Sequence, residues 1–187
     1  MESLRKDVSL EDMLAEMGSQ TSTAIVFQIA MDSDLKDLKS LCQINTRFRN
    51  LCQNPDFWLA KFQREYGFPL HEIYQPRPRD DELRMYKEFV FGRINTFFIY
   101  FGTCEVMIDR KRVQVLSTPE DPCILAPPLL EQHGFKLDNS YAIILDDPLY
   151  GGDEADHYVK PGAPLSHREL LSVIRDMTAA GGHLFRR

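Results

Sequence analysis

The densest group of reactive side chains lies near the C-terminal third, where Asp146, Asp147, Asp153, Glu154, Asp156 and His157 follow one another closely. Carboxylates this near to each other offer the oxygen ligands that a hard divalent cation requires. Their spacing fits no calcium-loop pattern, however, and Gly151-Gly152 beside acidic residues is ordinary loop composition. The stretch GGDEADHYVKPGAP is therefore read as a polar, solvated loop. Gly151-Gly152-Asp153-Glu154 has the form of a nucleotide-cyclase signature, but Ala155 occupies the place of the aromatic residue that should follow. His167-Arg168-Glu169 has the H-x-E spacing of zinc deaminases, yet no P-C-x-x-C comes after it and the zinc set cannot be completed. The five His share no ligand spacing, and no C-x-x-C exists. No Ser stands in a G-x-S-x-G elbow, and no Gly-rich loop runs into Lys-Ser or Lys-Thr. No catalytic residue, metal or cofactor is assigned. An enzyme built on Asp153, Asp156 and His157 is the minority alternative.

The elements that would position side chains are clearest between Thr23 and Gly67. Apolar residues recur there at helical spacing in short runs separated by capping residues. Ala24, Phe27 and Met31 share one face, and Leu35, Leu38, Leu41, Cys42 and Asn45 another. Asp34 and Asn45 stand where N-caps belong, able to accept backbone N–H bonds from the next turn. Asn54-Pro55 is an N-cap followed by Pro at the first helical position, and Gly67 is the matching stop. Helices this short are unstable alone and must pack on one another. Trp58, Phe62 and Tyr66 form the inward side of the last one, so Trp58 is expected in the core. Arg47 and Arg49 belong to the solvated face, with contact to an acidic partner as the functional alternative.

An N-terminal helix with the stripe Leu10, Met13, Leu14 and Met17 is expected before this region. After it, Pro69, Pro76 and Pro78 mark a linker. Asp80 or Asp81 should cap a helix burying Leu83, Tyr86, Phe89 and Val90. Ile94 to Phe101 reads as a strand, and Glu105 to Leu116 as a hairpin with Asp109-Arg110-Lys111 at its tip. One short helix is placed near Leu129 to His133, and a strand over Ser140 to Leu145. Ser166 and Glu169 form a capping box for a helix burying Leu170, Leu171, Ile174 and Met177. Gly181-Gly182 closes it, leaving His183 to Arg187 as a basic tail.

The chain has 187 residues, a formal charge of −6, twelve Phe and seven Tyr, enough apolar and aromatic content for a real core. An acidic balance argues against general nucleic-acid or anionic-membrane binding, and no apolar run approaches the length of a membrane span. The opening MESLRKDVSLEDM is charged throughout and has no apolar core, so no secretory leader is expected. The four Cys, at 42, 52, 104 and 123, show no close pairing in sequence, and a reducing, cytoplasmic location is the simplest reading.

Taken together, Ile25, Val26, Ile29, Ala30, Asp34-Leu35, Asp37-Leu38, Leu41-Cys42, Asn45, Arg47-Phe48, Leu51-Cys52 and Phe57-Trp58 follow the order of an F-box. With Lys61-Phe62 and Tyr66-Gly67, the stretch is most similar to the F-box variant of large DNA viruses. The usual opening Leu-Pro, with an acidic residue two positions on, is replaced by Thr21, Ser22 and Ala24. The resemblance implies a protein that docks on a Skp-type adaptor of a cullin ubiquitin ligase and presents a substrate protein, in the host cytoplasm if viral. Ile25, Val26, Ile29, Leu35 and Leu38 are then the expected adaptor-binding residues. The fold class expected is α+β: an N-terminal helix over 1–20, an F-box-like helical bundle over 21–67 and a Pro-rich linker over 68–80. A unit of small antiparallel sheet and flanking helices follows over 81–187. The alternative is a structural or scaffold interaction protein, virion components included, that has lost adaptor binding.

Overall fold

The computed structural model describes residues 19–77, 79–117, 122–138, 143–145 and 153–185. The stripe at Leu10 to Met17 lies outside them, as do Asp146 and Asp147. Four helices come first: α1 (Ser19–Asp32), α2 (Leu35–Ile44), α3 (Thr46–Cys52) and α4 (Pro55–Tyr66). Their boundaries follow from capping chemistry. The Asp34 carboxylate accepts from the Asp37 amide at 2.8 Å, and Asn45 from the Arg47 amide at 2.9 Å. Asn54 does the same for Asp56 at 2.9 Å, ahead of Pro55. Gly67 ends α4 with φ 88°, a left-handed turn that costs a residue without Cβ little.

A short 3-10 turn (Leu70–Glu72) leads to α5 (Glu82–Val90), which Asp81 caps through the Arg84 amide. The segment read as a linker is packed instead. Phe68, Leu70, Ile73 and Tyr74 are all buried, so this stretch is part of the core and not a free tether. Prolines here set turns between inward-pointing apolar residues, and composition alone does not distinguish that from a linker.

The sheet is wholly antiparallel and has seven strands: β1 (Phe97–Phe101), β2 (Cys104–Ile108), β3 (Arg112–Ser117), β4 (Lys136–Leu137), β5 (Ile143–Leu145), β6 (Asp153–Val159) and β7 (His183–Phe185). The order is β4-β6-β3-β2-β1-β7, with β5 also pairing β6. The expected hairpin is β2–β3, and the Asp109 carboxylate at its tip accepts from the Lys111 and Arg112 amides, each at 2.7 Å. Phe97, Ile99, Val106, Ile108, Val113 and Val115 face the core. Between α6 (Ala126–Gln132) and β7 comes α7 (His167–Ala179), whose Leu170, Leu171, Val173, Ile174 and Met177 lie buried beneath the strands. Its capping box is formed, with Glu169 accepting from the Ser166 amide at 2.6 Å. The chain is thus an α+β protein, helices first and sheet after.

Three expectations need correction. The acidic stretch read as a solvated loop is strand β6, paired with β3 along its length. Asp and Glu disfavour strands as a class, but Tyr158 and Ala155 are buried, and pairing to a hydrophobic hairpin outweighs that preference. The basic tail is strand β7, in register with β1 at Phe98–Phe185 and Tyr100–His183. The four Cys form two disulfides, Cys42–Cys52 and Cys104–Cys123, so they do not support a reducing compartment.

Helical and strand regions share one cluster of buried residues, running from Ala30 to Met177. Polar bonds also tie the N-terminal helices and the 3-10 turn to α5 and α7. Tyr66 donates to the Val90 carbonyl at 3.0 Å, Thr178 to that of Glu72 at 2.9 Å, and Arg175 meets Glu72 at 2.5 Å. Burial, with Glu65 beside it, pushes the Tyr66 phenol up to about 12.

Candidate protein-binding face

The second half of α1 is apolar on most sides, with Ile25, Val26, Phe27, Ile29, Ala30 and Met31 broken only by Gln28. Such a helix cannot bury every side chain against one neighbour. Ala30 and Met31 are inside, packed with Leu38, Phe48 and Phe57. Ile25 and Val26 are half-buried, whereas Phe27 is 36% exposed and Ile29 47% exposed. Phe27 is held rather than loose, since its ring meets that of Phe57 edge-on at 6.0 Å. The outer face therefore presents an apolar edge already backed by core.

Of the five residues expected to meet an adaptor, Ile25, Val26 and Ile29 lie on α1, and Leu35 is half-buried at the start of α2. Leu38 is different. At 0% exposure it supports the face from behind and has no surface to offer. It is the one leucine of α2 that is fully buried, in the core cluster that also holds Ala30, Phe48 and Phe57. Phe27 is the exposed residue that sequence spacing grouped with the buried Met31 instead. In a helix with almost no polar side, periodicity assigns no direction to a single aromatic.

The end of α1 is held by Lys61, which the sequence named only as part of the F-box resemblance and gave no structural role. Its side chain is 1% exposed, yet Nζ donates to the Met31 carbonyl at 2.9 Å and to the Ser33 carbonyl at 2.7 Å. Glu65, one turn along α4, closes the pair at 2.8 Å. A cation here satisfies carbonyls left open at a helix C-terminus and complements its dipole. Arg64 pairs with Asp32 alongside. The two basic residues of α4 thus set the angle at which α1 is presented.

Trp58 is in the core, donating to the Cys52 carbonyl at 2.9 Å, edge-on to Phe57 and tilted against Phe91. The Lys87 ammonium sits 5.5 Å over its ring, and burial pulls that amine below its usual value. Arg47 and Arg49 are both exposed, and Arg49 donates to the Gln43 carbonyl at 2.7 Å.

The residues that suggested chemistry are employed structurally. Glu169 completes the cap of α7. His167 packs on Tyr66, bonds to the Phe89 backbone, and is held below its usual value by burial. Asp153, Asp156 and His157 are spread along β6, where consecutive residues alternate between sheet faces. Among the described residues, no three His, Cys, Asp or Glu side chains are grouped to hold a metal. No helix among them is long and apolar enough to cross a membrane. No family model, curated protein or solved structure gives a significant match to this chain.

Proposed function

We propose that this protein is an F-box-type adaptor. In this reading α1–α4 dock on a Skp-type adaptor of a cullin ubiquitin ligase, and the remainder holds a substrate protein. The observation that carries the reading is the exposed apolar edge of Phe27 and Ile29 on α1, on the same helix as half-buried Ile25 and Val26. An apolar edge outside a core that is already closed is surplus to folding and suits a partner helix or groove. The order of capped helices agrees with the sequence resemblance. Such a protein performs no bond-making itself; tethering raises the effective concentration of one protein beside the ligase machinery.

The test is co-elution of the purified chain with a purified Skp-type adaptor, with and without reductant because Cys42–Cys52 ties α2 to α3. Wild type should bind, and Ile29→Asp should abolish binding, since burying an unpaired carboxylate costs several kcal/mol. Its melting temperature should barely move, because Ile29 is exposed. Undiminished binding by Ile29→Asp would overturn this assignment of the face. Failure of the wild type to bind would favour the second reading, a scaffold or virion interaction protein, which rests on Thr21, Ser22 and Ala24 in place of the usual F-box opening.

A further inference from the structure

The two disulfides differ in what else holds their ends. Cys104 is in β2, which pairs with β1 on one side and β3 on the other, so the sheet keeps its place whether or not its sulfur is bonded to Cys123. Cys42–Cys52 is in the helical module. Cys42 belongs to the last turn of α2 and Cys52 ends α3, with only Asn45 between the two helices. At seven residues α3 is too short to be stable by itself. It buries two side chains, Phe48 and Cys52, so one of its two inward anchors is a sulfur of the disulfide.

The other ties of α3 are local. Asn45 accepts from the Arg47 and Phe48 amides at 2.9 and 3.4 Å, and the exposed Arg49 guanidinium reaches back to the Gln43 carbonyl at 2.7 Å. Water competes for groups at such a surface, so these bonds hold a short helix only weakly. The cross-link adds to them by removing most of the conformations that a detached α3 could explore. Breaking it therefore loosens α3 first, while buried Phe57, Trp58 and Phe62 keep α4 in the core. What α3 supports is α1: the two helices touch, and Phe48 shares the core cluster with Ala30 and Met31.

We propose that Cys42–Cys52 is a reversible thiol–disulfide switch that sets whether α3 is held rigidly beneath α1. The bond is reached from the Cys42 side, since Cys42 is half-buried whereas Cys52 is 4% exposed. A thiolate of a dithiol reductant attacks the Cys42 sulfur, the bond to Cys52 breaks, and Cys52 leaves as a thiolate that takes up a proton. The reductant's second thiol then attacks its own sulfur in the mixed disulfide, and Cys42 leaves and is protonated in turn. Two electrons and two protons pass to the protein, and the dithiol ends as a cyclic disulfide. A disulfide oxidant reverses the sequence. The Cα atoms, 6.0 Å apart, are within the span that a disulfide bridges without backbone movement. The switch is a property of the fold and stands whether or not the α1 face meets an adaptor.

The test is hydrogen exchange of the full chain, first air-oxidised and then equilibrated with dithiothreitol. Thiol titration of the oxidised protein should find Cys42 and Cys52 blocked. Reduction should speed exchange of the α3 amides about tenfold or more and leave those of α4 and α7 near their oxidised rates. It should also shift the emission of the single Trp, Trp58, whose indole donates to the Cys52 carbonyl at 2.9 Å. Oxidised glutathione should restore both signals. The double variant Cys42→Ala with Cys52→Ala should exchange fast in α3 with and without reductant, which assigns the effect to this bond and not to Cys104–Cys123. Free Cys42 and Cys52 thiols in the oxidised protein, unchanged α3 exchange on reduction, or slow α3 exchange in the double variant would overturn the proposal. So would loss of protection throughout the reduced chain, because the bond would then be a structural staple and not a switch.

Discussion

Lys61 is the residue on which the presentation of α1 depends most. Three oxygens surround its ammonium, and two of them are main-chain carbonyls with no other partner of comparable reach. Lys61→Met keeps the stem and removes the charge, leaving those acceptors and Glu65 unpaired. Thermal or urea unfolding should show a loss of about 3 kcal/mol. Unchanged stability would mean that water replaces the ammonium without cost. Asp80 makes a different kind of prediction. Its carboxylate accepts from the Arg77 amide at 2.9 Å and the Tyr74 hydroxyl at 2.7 Å, with the Arg77 guanidinium beside it. Those bonds hold the carboxyl down to about 2, while burial and then the bond to Asp80 raise the Tyr74 phenol. A carboxyl lowered in the folded state stabilises it above the unfolded value of about 4. That contribution should disappear as pH falls from about 4 through the folded value of about 2. Unfolding followed across this window should lose less stability in Asp80→Asn than in wild type. Parallel pH profiles would show that the Tyr74–Asp80–Arg77 cluster is not formed.

At the scale of elements, β7 depends on how closely the chain passes α7. A Cβ on Gly182 would lie 2.7 Å from the Ile99 side chain and 2.9 Å from the Met177 carbonyl. The carbonyl belongs to α7 and cannot move aside as a flexible side-chain tip can. Gly182→Ala should therefore destabilise by about 1–3 kcal/mol, the usual range for overpacking. Hydrogen exchange should locate the loss at β7 and the strand it pairs with. Gly181, which precedes it with φ 98° and open space around it, serves the turn and not the packing. Both glycines were legible as the end of α7, since Gly commonly follows a helix. The return of the chain as a strand was not. Only three residues of β7 pair, and their alternation is too short to register as a pattern.

At the scale of the whole molecule, the helical module and the sheet are joined by a shared core. Phe62 meets Phe89 at 6.2 Å, Phe89 meets Phe97 at 6.1 Å, and Tyr74 meets Phe89 at 5.2 Å, so one aromatic chain runs from α4 to β1. Trp58 fluorescence for the helical module and hydrogen exchange of the β1–β3 amides for the sheet should report a single coincident thermal transition. Two separated transitions would show that the shared core does not couple the regions.

The sequence by itself determined the local boundaries. Asp34, Asn45, Asn54, Asp81, Ser166 with Glu169, and the tip of the β2–β3 hairpin act through bonds to neighbours a few positions away. Chemistry of that range is written in consecutive residues. It also determined the α+β class, because helical periodicity gives way to β-branched and aromatic runs near Phe97. Tertiary structure alone decided the pairing of acidic β6 with β3, the two disulfides, the burial of Lys61 and of Phe68, Leu70, Ile73 and Tyr74, and the pairing of β7 with β1. Each joins residues far apart in the chain, or reverses a local preference through a partner that proximity in sequence does not supply. The candidate faces divide in the same way. Ile25, Val26, Ile29 and Leu35 could be named from the order of the helices, but which side chains remain open depends on what packs behind them. That is why Leu38 went inside and Phe27 stayed out.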